Sequence, residues 1–372
     1  DMKFKISRSI FFKTLSHLQG IVDKKNSLPI LANILIEAKE NNLILSSTDM
    51  DISIVEKISC NVLEEGSTTI NSQILYDIVR KIDDSNEIEI ISNNGKLVTL
   101  RSNGSRFSLA CLPKEDFPLI EKDNSGTIII LNSKILFKLI DKTKFAISNE
   151  ETRYFLNGLY FNVNNESNKN VVTIVGTDGH RLAKFSHEID EQIDQVSGVI
   201  IPKKTIYELS KLLSELDCNV KISISTNKIV FVIGDIIFIS KLIDGSFPDY
   251  KRVIPSENNN ILKINRDKLL SAVDRVSTIA NEKSPVIKFK LLQNILNLNT
   301  INNESSTASE DLTTDYQGDE IEIGFNSKYI MDIVNNLEDT EISIKLKDNT
   351  SPVIAQENSN TNLVYVLMPM RV

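Results

Sequence analysis

The chain has 372 residues, 41% of them hydrophobic and 25% charged, with a formal net charge of −8. That length exceeds what one hydrophobic core usually fills, so two or three ordinary folded domains are expected, and the acidic balance argues against holding nucleic acid by bulk attraction alone. No apolar run approaches the roughly 20 residues a bilayer span needs, and the amino end lacks the order of a signal peptide, which predicts a cytoplasmic protein.

Asp1, ahead of Met2, is read as an addition and set aside. From Phe4 to Leu18 a short strand runs into apolar residues at helical spacing, giving a first helix over residues 8–18. Strand patterns follow at Asn33 to Ile36 and Leu43 to Ser46. Thr68-Thr69-Ile70-Asn71-Ser72-Gln73-Ile74-Leu75 then repeats the opening: a strand, an Asn and a helix start. The second helix is expected over 71–82, with Ile74, Ile78 and Ile82 as its buried stripe. Strands at Glu87 to Ile91, Lys96 to Arg101 and Phe107 to Cys111 lead to Asp116-Phe117-Pro118, and Lys122 to Gly126 is turn-rich.

Ile128-Ile129-Ile130-Leu131-Asn132-Ser133-Lys134-Ile135-Leu136 opens a second copy, with a helix over 132–147 whose stripe is Ile135 and Leu139. Strands at Leu159 to Asn164 and Val171 to Val175 precede a helix over 203–216 with Leu209, Leu213 and Leu216 aligned. Val220 to Ser225, Ile229 to Ile233 and Ile236 to Leu242 are further strands. Ser246-Phe247-Pro248 follows, 130 residues after its counterpart. Beyond the polar Pro255 to Asn260 comes a helix over 265–280, strands at Ile287 to Leu291 and Ile295 to Asn299, and a helix over 326–337 begun by Glu322-Ile323-Gly324-Phe325-Asn326-Ser327. That helix aligns Ile330, Val334 and Leu337, and strands at Glu341 to Leu346 and Leu363 to Met368 close the chain.

Asn71, Asn132, Asn265 and Asn326 hold equivalent positions, where an Asn side chain accepts a hydrogen bond from a first-turn amide. The recurrence predicts an α+β chain of three similar domains, 2–125, 126–255 and 256–372, each of two βαβββ-like halves. Such halves leave strand edges open, and copies that pair edge to edge form a ring when their rotation closes. The six expected helices together carry +8, which leaves −16 on the rest of a chain of net −8. A solvated face explains any single Lys-rich helix; the asymmetry across all six favours a surface that meets phosphates.

Little points to catalysis. Cys60, Cys111 and Cys218 are odd in number and scattered, giving neither a disulfide framework nor metal-ligand spacing. Only 13 glycines occur, with no phosphate-cradling loop, so no cofactor and no metal are expected. An enzyme would have to recruit Asp178 and His180, or His180 with a cysteine, and no third orienting group is evident. A scaffold that binds peptides but not DNA is the other alternative.

Five stretches, in order, carry a resemblance: Arg153-Tyr154-Phe155-Leu156-Asn157-Gly158, Thr177-Asp178-Gly179-His180-Arg181-Leu182-Ala183, Gly245-Ser246-Phe247-Pro248-Asp249-Tyr250, Ala280-Asn281-Glu282-Lys283 and Met368-Pro369-Met370-Arg371. From Met2 onward the chain resembles the bacterial DNA polymerase III beta subunit, the beta sliding clamp family. The resemblance implies the DNA clamp fold and a head-to-tail homodimer whose six domains form a closed ring around duplex DNA, with no catalysis of its own. Its implied partners are the polymerase III alpha subunit, the clamp-loader delta subunit and other proteins with a clamp-binding motif.

The same resemblance implies a partner-peptide groove at Leu156, Thr177, Gly179, His180, Arg181 and Leu182, with Pro248, Arg252, Val253 and Tyr329. Val366, Leu367, Met368, Pro369, Met370 and Arg371 complete it. DNA contacts are implied at Lys25, Arg153, Tyr154, Lys203 and Lys204. The subunit contact is implied at Phe107 and Ile279, with Arg101 and Arg106 facing an acidic stretch that includes Glu304, Glu310 and Asp311. Pro352 stands where the family often has Ser, and Glu150 where it can have a neutral amide.

Overall fold

The computed structural model describes residues 1–22, 28–118, 120–121, 125–190 and 193–371. Among them are 26 strands and six α-helices: α1 Arg8–Gln19, α2 Ser72–Lys81, α3 Ser133–Asp141, α4 Lys203–Ser214, α5 Arg266–Val276 and α6 Ser327–Asn336. Every helix follows a strand directly. In four of them an Asn at the junction caps the helix: Asn71 Oδ1 accepts from Ile74 N at 3.0 Å, Asn132 Oδ1 from Lys134 N at 2.9 Å, Asn265 Oδ1 from Lys268 N at 2.9 Å and Asn326 Oδ1 from Tyr329 N at 3.2 Å. Ser7 does the same for α1.

The threefold repeat is visible in single hydrogen bonds. The amides that open α1, α3 and α5, those of Arg8, Ser133 and Arg266, donate to the carbonyls of Asn86, Cys218 and Thr340 at 3.0, 2.8 and 2.8 Å. In each copy that bond ties the first helix to the segment just after the second. Two of the opening residues extend the tie through their side chains. Arg8 Nε donates to Val79 O at 2.9 Å, and Arg266 Nε donates to Val334 O at 3.0 Å, so each guanidinium caps the carbonyl end of its neighbouring helix.

By contacts the chain forms two compact units, residues 1–137 with 204–242 and residues 138–203 with 243–372. The first holds a 13-stranded sheet from Thr127–Asn132 at one edge to Asn61–Glu64 at the other. Within it the antiparallel pairing of Ile52–Ser59 with Ile236–Lys241, Ile52 opposite Ser240, joins the first copy to the second. The second unit holds a nine-stranded sheet in which Arg181–Ile189 pairs with Asn360–Leu367, Arg181 opposite Leu367. That pairing joins the second copy to the third. A four-stranded sheet, in the order Thr307–Thr313, Ile295–Ile301, Val286–Leu292, Ile321–Asn326, completes the unit.

Three expectations need correction. The buried face of α2 is Leu75 and Val79, not the Ile74, Ile78 and Ile82 stripe, and Ile74 is 51% exposed. Both stripes have helical spacing, and only the tertiary packing decides which one is covered. Helices α3 and α5 end at Asp141 and Val276, short of residues 147 and 280, and short 3-10 turns follow at Lys144–Ala146 and Ser277–Ile279. Strands at Ile52–Ser59, Asn61–Glu64, Arg181–Ile189, Thr307–Thr313, Asp315–Tyr316 and Val353–Glu357 were not expected. Thr307–Thr313 shows why: it is a sheet edge with no fully buried residue, so apolar alternation is missing.

Candidate partner groove, DNA-facing residues and subunit edges

The tight turn between Lys169–Thr177 and Arg181–Ile189 is fixed by its own side chains. Asp178 Oδ1 accepts from His180 N at 2.9 Å and Arg181 N at 3.0 Å; Thr177 Oγ1 donates to Arg181 O at 2.7 Å and accepts from Gly179 N at 3.2 Å. Gly179 has φ +88°, a left-handed conformation that glycine adopts without strain, and a Cβ there would meet Arg153 Nη1 at 2.7 Å. Met368 N donates to His180 O at 2.9 Å, which carries the chain end past the turn.

Beside this turn lies a cavity of about 160 Å³. Its walls include Leu156, Thr177, Gly179, Arg181 and Leu182, then Pro248, Val253, Val366 and Met368, all expected for the groove. Arg153, expected to face DNA, also lines it, as does Tyr250, which sequence reasoning had left out. Tyr250 is the cavity's link to the core, packed with Val175, Leu182, Ile354 and Val366, and burial pushes its hydroxyl up to about 12. The signal for it was present in the Phe-Pro-Asp-Tyr run, since Phe247 stacks on Tyr160 at 4.9 Å and Tyr160 in turn meets Tyr250 at 5.9 Å.

The remaining groove candidates sit close by or apart. His180 stacks on Tyr329 at 6.3 Å, and Leu367 is buried opposite Arg181 in the sheet. Arg252 is largely exposed and paired with Asp249 at 3.0 Å. Pro369, Met370 and Arg371 run on to a separate hollow beside Glu322, Asn349 and Thr350, with Met370 N donating to Gly324 O at 2.7 Å. Pro352 precedes the strand Val353–Glu357, and its carbonyl accepts from Asn258 Nδ2 at 2.9 Å.

Of the DNA candidates, Lys25 lies outside the described residues. Tyr154 is 53% exposed and packs edge-on against Phe155. Lys203 hydrogen-bonds Asn149 through Nζ, whereas Lys204 is held by Asp49 Oδ2 at 2.6 Å and Ile21 O at 3.2 Å. Glu150 lies 3.9 Å from the Arg153 guanidinium.

In the first unit, Phe107 borders a hollow with Ile78 of α2 and Ile82 just past its end, so part of the stripe absent from the core lines a surface hollow here. Its strand, Ser105–Leu112, pairs along one side with Leu97–Ser102 and on the other only at Cys111 and Leu112. Arg106 stands opposite Arg101, which reaches Glu89 at 4.0 Å. In the second unit Ile279 is half-buried at the end of the turn after α5, and Thr307–Thr313 has a neighbour on one side only. Glu310 is bound within the protomer by Arg275 at 2.8 and 2.9 Å, which holds its carboxyl below the usual range, and Asp311 accepts from Asn297 Nδ2 at 2.7 Å.

Three sequence-family matches cover nearly the whole chain: DNA polymerase III beta subunit N-terminal domain over residues 2–121, central domain over 130–249 and C-terminal domain over 251–371. The chain belongs to the DNA polymerase III beta subunit family. The beta sliding clamp of Caulobacter vibrioides is 38% identical over 372 residues, and that of Escherichia coli K12 is 34% identical over 371, each with all of both chains covered. A crystal structure of the sliding clamp from Bartonella birtlesii bound to griselimycin is 41% identical and superposes with a TM-score of 0.96 over both full chains. A Caulobacter crescentus clamp with a polyethylene glycol in its putative beta-motif tethering region gives 0.95 at 38% identity, covering 100% of this chain and 99% of that one.

This clamp therefore has the three-domain clamp fold and the function of a DNA sliding clamp, a processivity factor whose partners are DNA and polymerase. It is an accessory subunit of the polymerase and performs no chemistry itself. Among the described residues no helix is long and apolar enough to cross a membrane.

Proposed function

We propose that two copies of this clamp close head to tail into a ring around duplex DNA, and that the cavity beside the Thr177–Arg181 turn takes short linear peptides of its partners. On this reading the polymerase III alpha subunit, the clamp-loader delta subunit and other motif-bearing proteins share that groove in the cytoplasm. Domain borders fall near residues 125 and 255.

The observation that carries the groove is the cavity itself: apolar walls from Leu156, Leu182, Val253 and Val366, the adaptable side chain of Met368, and the polar edge of Arg181. Griselimycin, which the Bartonella clamp binds, is the probe chosen to test this groove. For ring closure, the open edge of Ser105–Leu112 with Phe107, Ile78 and Ile82 and the open edge of Thr307–Thr313 near Ile279 supply two surfaces for edge-to-edge pairing. Arg101 and Arg106 add charge there, but with Glu310 already occupied, ion pairing contributes about 1 kcal/mol at most.

Sliding excludes base reading, because each good base contact is worth roughly 1 to 3 kcal/mol and would hold the ring at one register. Weak phosphate contacts from Arg153, Tyr154, Lys203, Lys204 and Lys25 avoid that trap, and retention comes from topology. The test is loading onto a nicked circular plasmid, followed by linearisation. Protein that co-elutes with the circle and is lost on cutting supports the ring; equal loss from both supports a peptide-binding scaffold instead.

A further inference from the structure

We infer that Asp332, on α6, is a positioning residue of the partner groove: it holds the Arg181 guanidinium against the groove wall so that a ligand meets a preformed surface. The inference rests on the groove reading above and deepens it.

Arg181 is anchored on every side. Its Nη1 donates to Asp332 Oδ2 at 2.7 Å, its Nη2 to Phe145 O at 3.1 Å and its Nε to Asp178 Oδ2 at 3.3 Å. The guanidinium carbon lies 4.3 Å from the Tyr329 ring centroid and 5.1 Å from that of Phe145. Asp332 makes the shortest of the three bonds, and it does so from a helix rather than from the turn that bears Arg181. Asp178 is already committed to the turn amides through its other oxygen.

The first unit supplies an internal control. Its corresponding turn, Thr48 to Ile52, repeats the same network: Thr48 Oγ1 donates to Ile52 O at 2.9 Å, Asp49 Oδ1 accepts from Asp51 N at 2.9 Å and Ile52 N at 2.7 Å, and Lys241 N donates to Asp51 O at 2.9 Å. Met50 there takes a left-handed φ of +80°, as Gly179 does. Buried Ile52 stands where Arg181 stands. The turn and the strand junction therefore form without an arginine, and a hollow of about 150 Å³ forms beside them too. What distinguishes the second junction is Arg181 with its carboxylate, carbonyl and ring partners, an expense in desolvation that architecture does not require. A long side chain fixed before binding spares the ligand the cost of ordering it.

The experiment is calorimetric titration of the full-length clamp with griselimycin. Asp332→Asn is expected to weaken binding about threefold to tenfold, the cost of ordering one freed side chain, and Asp332→Glu, which keeps a carboxylate in reach, to recover most of it. Both variants should keep the parent's thermal midpoint within a few degrees. Parent-like affinity in Asp332→Asn, or equal loss in Asp332→Glu, overturns the positioning role. Deleting residues 368–372 is the separate check on the groove: if that deletion leaves griselimycin binding intact, the groove reading fails; if it abolishes binding while Asp332→Asn does not weaken it, only the positioning role fails.

Discussion

Among the described residues, His17 of α1 is the one histidine whose ring is buried between carboxylates from other segments. Its Nδ1 lies 3.0 and 3.1 Å from the two oxygens of Glu56 on Ile52–Ser59, and its Nε2 lies 3.1 Å from Glu215 just beyond α4. Only the imidazolium can donate to both at once. Burial pulls the His17 pKa down, but the hydrogen bonds and charges of Glu56 and then Glu215 outweigh it, and the net shift is upward from 6.5. A raised folded value means stability that is fully present below 6.5 and lost as pH rises through the folded value. Below 6.5, His17→Ala leaves Glu56 buried without its cation, a loss of about 3 kcal/mol at the low end for a broken buried pair; exposed Glu215 adds at most about 1 kcal/mol. Once the parent histidine is neutral, one hydrogen bond remains at stake, about 1 kcal/mol. Urea unfolding of both proteins at about pH 6 and about pH 9 should therefore show a gap that shrinks as pH rises. An equal gap at both pH values would refute the charged clasp.

Ile279→Asp should yield monomers by sedimentation, and a dimer that persists at low micromolar concentration counts against the proposed edge. Tyr365→Phe removes the buried hydroxyl that donates to Lys142 O at 2.7 Å, and a lower urea midpoint worth about 1 to 3 kcal/mol is expected; an unchanged midpoint would show that the carbonyl finds another donor. Burial pushes the Cys60 thiol up to about 11, so iodoacetamide labelling at this site, followed by peptide mapping, should stay slow at neutral pH and accelerate only as the thiolate forms at alkaline pH. Replacing the exposed lysines Lys13, Lys81, Lys138, Lys268 and Lys328 by Gln should flatten the salt dependence of DNA association, by up to about 0.9 in log-log slope for each lysine that contacts a phosphate. An unaltered slope would place the phosphate contacts elsewhere.

Much of the architecture was legible because it is local. Asn71, Asn132, Asn265 and Asn326 announce helix starts through a hydrogen bond spanning two or three residues, and all four make it. What was hidden depends on distant partners. The helix pattern of α2 offered two apolar stripes, and tertiary packing buries Leu75 and Val79, leaving Ile78 and Ile82 beside Phe107. Arg181–Ile189 mixes Arg, Lys, His and Glu with apolar residues, and its status as an inner strand follows only from pairing with Asn360–Leu367, well over a hundred residues away. Nine of the sixteen residues expected for the groove line one cavity, where Tyr250 joins them through core packing and Arg153 through its proximity to Gly179, while Pro369, Met370 and Arg371 border a different hollow.

The charge argument changes most once side chains are placed. Fifteen Lys and Arg residues fall in the six helix segments, but Arg8, Lys142 and Arg266 point at backbone carbonyls at the ends of neighbouring helices. Lys142 also pairs with Glu338 at 2.9 Å and holds that carboxyl below its usual range. These cations stabilise helix ends and are lost to phosphate binding. What remains is thin and evenly spread: α1, α2, α3, α5 and α6 each keep an exposed lysine that is in no ion pair among the described residues, and exposed Lys211 of α4 is paired with Glu208 at 3.1 Å. A few separated lysines give a weak, salt-sensitive hold with no preferred register. A dense basic patch would bind more tightly but would also retard movement. Sparse charge thus fits the proposed ring, in which residence on DNA would depend on closure of the subunit edges and affinity would be concentrated in the proposed partner groove.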